Sequence, residues 1–112
     1  MEKELEEFEQ AEQYALFVRA SGNYPCLNCG VITEIYLHTG EIWKYGVTMK
    51  GEFRRYKNGL PHDGLIYIVQ FSGTLQECLR LEKTKIYNYP LLPENLKRSY
   101  KLNRPPGNQR DY

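Results

Sequence analysis

Two runs rich in β-branched and aromatic residues, Val31–Leu37 and Glu41–Thr48, stand three residues apart across His38-Thr39-Gly40. No other feature of the chain narrows its choice of fold as far, because runs this close form a β-hairpin. Loop length then decides which side chains share a face. A two-residue Thr39-Gly40 turn pairs Tyr36 with Trp43 and sends Lys44 to the other face. A three-residue loop pairs Tyr36 with Ile42 and Glu34 with Lys44, so that Tyr36 and Lys44 project together. Gly40 suits the longer loop, whose last residue is usually left-handed. The expectation is therefore a three-residue loop, Gly40 at positive φ, and Tyr36 diagonal to Lys44. Ile35, Leu37, Trp43, Tyr45 and Val47 then form an apolar face.

Around this hairpin the pattern predicts an α+β fold, a small antiparallel three-stranded sheet flanked by helices. The nearly all-apolar run Leu65–Phe71 is the third strand, expected at the centre. Residues 2–20 read as a helix, with Leu5, Phe8, Ala11 or Glu12, Ala15 and Leu16 on a stripe and glutamates crowding its first turns. Ser21-Gly22-Asn23 ends it, and Tyr24–Gly30 is a loop by its Pro and Gly. Residues 49–64 are polar and glycine-rich, a short helix or turn and then a loop. Thr74 is the expected N-cap of a helix reaching about Asn88. From Pro90 onward the chain is punctuated by proline. The division is an acidic N-terminal helix over 1–22, then a domain over 23–112 with an irregular basic tail. At 112 residues there is room for one modest core. No apolar run has membrane-spanning length, and the acidic opening Met1–Gln10, unlike a basic-then-apolar leader, leads to the expectation of no signal peptide in this chain.

The overall charge of +1 hides an asymmetry: residues 1–13 hold six Glu and one Lys, a net of −5, so the remainder carries +6. A basic body favours a polyanionic partner, although the cations from Lys97 to Arg110 are also ordinary solvated surface. Cys26, Cys29 and Cys78 cannot close a disulfide framework; the count suits a reducing compartment or an idle thiol pair. Cys26-x-x-Cys29 has zinc-knuckle spacing without a second pair, so a structural loop is its expected role.

On the helix from Thr74, residues Leu75, Cys78, Leu79, Glu82, Ile86 and Tyr89 share a face. Glu82 is the one charge on that stripe and needs a partner there, either a cation or a metal. Glu77 lies off the stripe as a solvated carboxylate.

These motifs together resemble the GIY-YIG nucleases, whose pattern is a Gly-Ile-Tyr strand, a short turn, a Tyr-x-Gly strand, an Arg on a following helix and a metal-binding Glu on a later one. Tyr36 stands at the first motif's tyrosine, with Glu34 where its glycine would be. Gly46 stands at the second motif's glycine, with Lys44 in place of its tyrosine. Arg54 or Arg55 takes the arginine's place, and the aromatic Tyr56 directly after favours Arg55. Glu82 matches the metal-binding Glu. The histidine or tyrosine common one turn after the Arg is missing, since Asn58 or Gly59 falls there. Tyr24-Pro-Cys-x-x-Cys, Glu41-Ile-Trp-Lys-Tyr-Gly, Leu75-Gln-Glu-Cys and Arg104-Pro-Pro-Gly-Asn are similar to nuclease toxin domains at the C-termini of polymorphic toxins, on Rhs-type and type VI-secreted proteins of Bacteroidetes.

The resemblance implies a GIY-YIG-like fold and an endonuclease using Mg²⁺ or Mn²⁺ on Glu82, with DNA a likelier substrate than RNA. In that scheme Tyr36, helped by Lys44, orients or deprotonates the attacking water, and Arg54 or Arg55 clamps the phosphate. Thr48, Lys50, Tyr56, Lys57 and Asn108 are expected to contact nucleic acid. It also implies a delivered effector acting in the cytoplasm of a target cell, a cognate immunity protein, and no membrane partner. Two competing readings use the same residues. A nucleic-acid-binding module would keep the arginines and the basic tail without needing Glu82. A protein-interaction domain would dock through the acidic N-terminus.

Overall fold

In the computed structural model, which describes residues 10–49, 56, 59–97 and 102–108, the run Gln10–Val18 is a strand, β1. The helix expected over 2–20 gives way to it, and residues 1–9 lie outside the described part. Both faces of β1 are buried. Tyr14, Leu16 and Val18 enter one apolar cluster, while Ala15 and half-buried Phe17 enter another. A strand covered on both sides carries an unbroken apolar run, which periodicity cannot separate from a buried helix. The boundary expected at residue 22 disappears with the helix, because β1 is the central strand of the domain.

Strands β2 (Gly22–Pro25), β3 (Glu34–Leu37), β4 (Ile42–Thr48) and β5 (Leu65–Thr74) complete the β-structure. The fold is α+β with a three-stranded antiparallel sheet, in the order β4-β1-β5, and a separate two-stranded sheet, β2-β3. The class is as expected; the membership differs. Leu65–Phe71 lies at an edge rather than the centre, which leaves Ile68 and Val69 each 41% exposed. The two runs around His38-Thr39-Gly40 do not form a hairpin. β3 pairs with β2, with Tyr36 opposite Asn23, whereas β4 pairs with β1, with Lys44 opposite Leu16. The turn itself is where it was expected: Gly40 has φ 92° and the Glu41 N–H donates to the His38 carbonyl at 3.0 Å. It reverses the chain between two sheets instead of within one. Burial accounts for the choice. Leu37 and Tyr24, on the small sheet, are sealed in the same cluster as Tyr14, Leu16 and Val18, so β3 stacks on the large sheet's face rather than lengthening its edge.

Two bulges adjust β1's neighbours. Opposite Leu16 and Phe17, Trp43 is the extra residue, so Ile42 enters one core cluster and Trp43 the other. Opposite Gln13 and Tyr14 the extra residue is Gln70.

Helix α1 (Leu75–Asn88) starts from Thr74 as expected. The Thr74 hydroxyl accepts from the Glu77 N–H at 3.2 Å and the Glu77 carboxylate accepts from the Thr74 N–H at 3.0 Å, a reciprocal capping box. Glu77 is thus a helix-starting residue and not merely a solvated one. Cys78, Ile86 and the following Tyr89 are buried, whereas Leu79 is exposed. A 3₁₀ turn (Tyr89–Leu91) and a short α2 (Pro93–Leu96) follow. No helix among the described residues is long and apolar enough to cross a membrane.

Residues 102–108 are irregular, as expected, but they are not a tail. Leu102, Pro105, Pro106, Gly107 and Asn108 are all buried. Asn95 holds Leu102 by both backbone groups, accepting from its N–H at 2.9 Å and donating to its carbonyl at 2.8 Å. Asn108 does the same for Tyr45, accepting from its N–H at 2.9 Å and donating to its carbonyl at 3.0 Å. With the Gly107 N–H on the Trp43 carbonyl and the Ile42 N–H on the Glu94 carboxylate, the outer edge of β4 is occupied from Ile42 to Tyr45. An edge strand left bare would offer these groups to another chain.

Candidate functional site

β4 carries the Lys44-Tyr-Gly46 motif, and its neighbour β1 determines what lies over it. Tyr14 stands opposite Gly46, and a Cβ at that glycine would overlap the Tyr14 ring. Glycine in a strand often marks such an approach. The Tyr14 ring, itself fully buried, stacks on Tyr67 with centroids 4.5 Å apart and 23° between planes. Tyr56 meets both rings edge-on, and its hydroxyl lies 2.7 Å from that of Tyr14. The Tyr67 hydroxyl donates to the Glu12 carboxylate at 3.1 Å. Directly opposed residues share a face, so Lys44 and Thr48, opposite Leu16 and Glu12, belong to this same side of the sheet. The result is a patch of phenol hydroxyls with a carboxylate and a lysine on one sheet face.

Helix α1 covers the opposite face. The Lys85 ammonium donates to Gln13 at 2.9 Å and to Gln70 at 2.8 Å, and Ile86 packs in one cluster with Ala15 and Tyr45. Burial lowers the Lys85 pKa from its usual range. The Tyr45 phenol is pushed up to about 12, first by burial and then by the Glu94 charge. Burial is also the main cause raising the Cys78 thiol.

The expected site residues are therefore spread over three places. Lys44, Thr48 and Tyr56 lie on the tyrosine face, with Thr48 buried against β1. Tyr36 sits on the small sheet, 53% exposed, its ring edge-on to His38 at 5.2 Å. The shared face expected for Tyr36 and Lys44 is lost, because the strands that carry them do not pair. Glu82 is half-buried on α1, on the helix that packs across the sheet from the tyrosine face. Asn108, expected to touch nucleic acid, has its amide committed to the Tyr45 backbone. Arg54, Arg55, Lys50 and Lys57 lie outside the described residues. Cys26 and Cys29 form a disulfide with Cα atoms 5.6 Å apart, so they are neither idle thiols nor zinc ligands here.

Tyr14, Tyr67 and Glu12, which gather on this face, are not among the expected site residues. The usable signal was Gly46: a strand glycine implies something large opposite, and ten tyrosines offered no other means of choosing. Magnesium is commonly held by one or two carboxylates together with substrate phosphates and waters. Among the described residues no group of three or more His, Cys, Asp or Glu is placed to hold a metal ion. A metal on Glu82 would stand across the sheet from Tyr14 and Lys44, so the described donors do not fit one ion serving both. No family model, curated protein or solved structure matches the chain.

Proposed function

We propose that the protein is an endonuclease hydrolysing phosphodiester bonds, DNA before RNA, and that its reacting face is the tyrosine patch on β1 and β4. One observation carries the reading. The strand beside Lys44-x-Gly46 is β1, and its Tyr14 contacts Tyr56, the residue that directly follows Arg54-Arg55 in the chain. Tyr36 keeps the resemblance's order of Ile-Tyr, short turn and Lys-x-Gly, but Tyr14 is the tyrosine on the strand that pairs with Lys44-x-Gly46, and that pairing favours it here.

In this reading the Tyr14–Tyr56 hydroxyl pair positions the attacking water through half-buried Tyr56, since in such a pair one oxygen is left able to accept a hydrogen bond. Lys44 supplies positive charge toward the phosphate, and Arg54 or Arg55 forks its oxygens. Glu82, on α1 across the sheet, takes no part at this face. Mg²⁺ or Mn²⁺ dependence is one arm of the test. The resemblance that runs from Tyr24 to Asn108 further supports a delivered antibacterial effector with a cognate immunity protein.

The test is nicking of plasmid DNA, and of labelled RNA in parallel, with Mg²⁺, with Mn²⁺ and with EDTA. Tyr14→Phe keeps the ring and removes the hydroxyl, and is expected to lower the rate by roughly a hundredfold or more. Tyr36→Phe is expected to stay near wild type. Wild-type protein that cuts neither polymer would sink the enzyme reading. A second reading, a nucleic-acid-binding module without catalysis, draws support from the position of Glu82, and retention of labelled DNA without cleavage would favour it. In cells, the toxin reading predicts growth arrest on cytosolic expression in a naive bacterium; harmless high-level expression would count against it.

A further inference from the structure

On the outer side of the fold, α1 and the segment around residues 103–104 enclose a hollow of about 420 Å³ lined by Lys83, Ile86, Tyr87, Pro90, Asn103 and Arg104. Small-molecule sites commonly span roughly 300–1,000 Å³, so it is large enough for one small ligand. Among the described residues the lining holds two cations and no carboxylate. Lys83 and Tyr87 are four residues apart on a helix and so lie one above the other on the same face. Tyr87 is 83% exposed, far more than an aromatic ring needs if its role is packing. Ile86 and Pro90 supply apolar wall beneath it.

The far side of the hollow is held firmly. Leu102 is clamped by Asn95, and the Pro105 carbonyl accepts from the Asn28 amide at 2.7 Å, so Asn103 and Arg104 are fixed from both sides. A ring open to solvent, flanked by two cations and one amide, suits a ligand that is both planar and anionic. Single-stranded nucleic acid offers that combination in every nucleotide, and base stacking on an exposed aromatic is its usual means of capture.

We infer that this hollow binds one nucleotide unit of a single-stranded nucleic acid, with its base stacked on Tyr87 and its phosphates held by Lys83 and Arg104. The inference rests on the nucleic-acid reading above but places the contact away from the tyrosine face, across α1.

The test measures binding of a fluorescently labelled single-stranded oligonucleotide to the intact chain in EDTA, by anisotropy, over a range of salt. Tyr87→Ala is expected to weaken binding roughly fivefold or more. Lys83→Gln is expected to reduce the salt slope by roughly one phosphate's worth. Both residues are exposed, so an unchanged thermal melt verifies the fold, and Arg104→Gln provides a third variant on the opposite wall. A mononucleotide is expected to compete better than inorganic phosphate alone. Normal binding by Tyr87→Ala and Lys83→Gln overturns this site and leaves the nuclease reading standing. Equal competition by phosphate together with a silent Tyr87→Ala overturns it too, since the ring then has no part. If the wild-type chain binds no oligonucleotide, this site falls, and plasmid nicking decides the nuclease reading separately.

Discussion

Asn108 stands in for a missing strand with one side chain. Its amide closes a two-bond ring on Tyr45, giving both backbone groups the partners a neighbouring strand would have supplied. Asn108→Ala leaves a buried N–H and C=O unsatisfied and is expected to cost ~2–3 kcal/mol, read as a lower urea midpoint at unchanged slope. Asn108→Asp keeps the acceptor and loses the donor, so it is expected to destabilise as well. Tyr45 provides a second reading at this scale. Its phenol titrates near 12 in the fold against 10.0 when free. The raised value favours the protonated, folded form, so its contribution is complete below pH 10 and is lost as pH rises toward 12. Absorbance of tyrosinate, compared between the wild type and Tyr45→Phe, should show the Tyr45 phenol ionising late, together with unfolding; its ionisation near pH 10 in a folded chain would contradict this. Gly46→Ala forces a methyl group into the Tyr14 ring. It is expected to cost ~1–3 kcal/mol by overpacking and to part the Tyr14 and Tyr56 hydroxyls, so nicking should fall along with stability.

Among the elements, α1 shows what a local signal can carry. Thr74 and Glu77 three residues later are a sequence-level start mark, and the helix begins there. Thr74→Ala is expected to cost ~1 kcal/mol. The capping bonds from Thr74 hold the Glu77 pKa below its ordinary value. A depressed carboxylate stabilises the fold above its unfolded pKa and loses that effect as pH falls through the folded one. Glu77→Gln, which can still complete the box, should therefore flatten the acid limb of the stability profile; an unchanged limb would assign that pH dependence to other groups. β1 had no comparable mark. Its covered faces erase the alternation that identifies a strand, and the glutamates before it imitate the start of a helix. Strand partnership was hidden for a different reason. The Gly40 turn was legible because its requirement is local, whereas the choice of β1 over β3 as β4's neighbour depends on where Tyr24 and Leu37 find cover. Placement of the candidate residues was hidden in the same way: Lys44, Gly46 and Tyr56 were legible as motif positions, but the tyrosine that lies opposite Gly46 and against Tyr56 belongs to a strand far away in sequence.

At the scale of the whole molecule, the Cys26–Cys29 loop and residues 102–108 hold each other. The Leu27 N–H donates to the Pro106 carbonyl at 2.8 Å, and Asn28 donates to the carbonyls of Pro105 and Asn108, both at 2.7 Å. Opening the disulfide with a dithiol reductant is expected to cost ~2 kcal/mol by loop entropy for so short a loop, seen as a lower melting temperature. An identical melt with and without reductant would show that the loop is held by its hydrogen bonds alone. The order in which these parts are made has a consequence for the cell. A ribosome adds ~5–20 residues per second, so β4 exists for several seconds before Asn108 has been joined to the chain. Throughout that interval Trp43 and Tyr45 present open backbone groups, and the neighbouring nascent chains on the same message present identical ones. An open strand edge can pair with another chain, so slower initiation on this protein's message should raise the soluble yield.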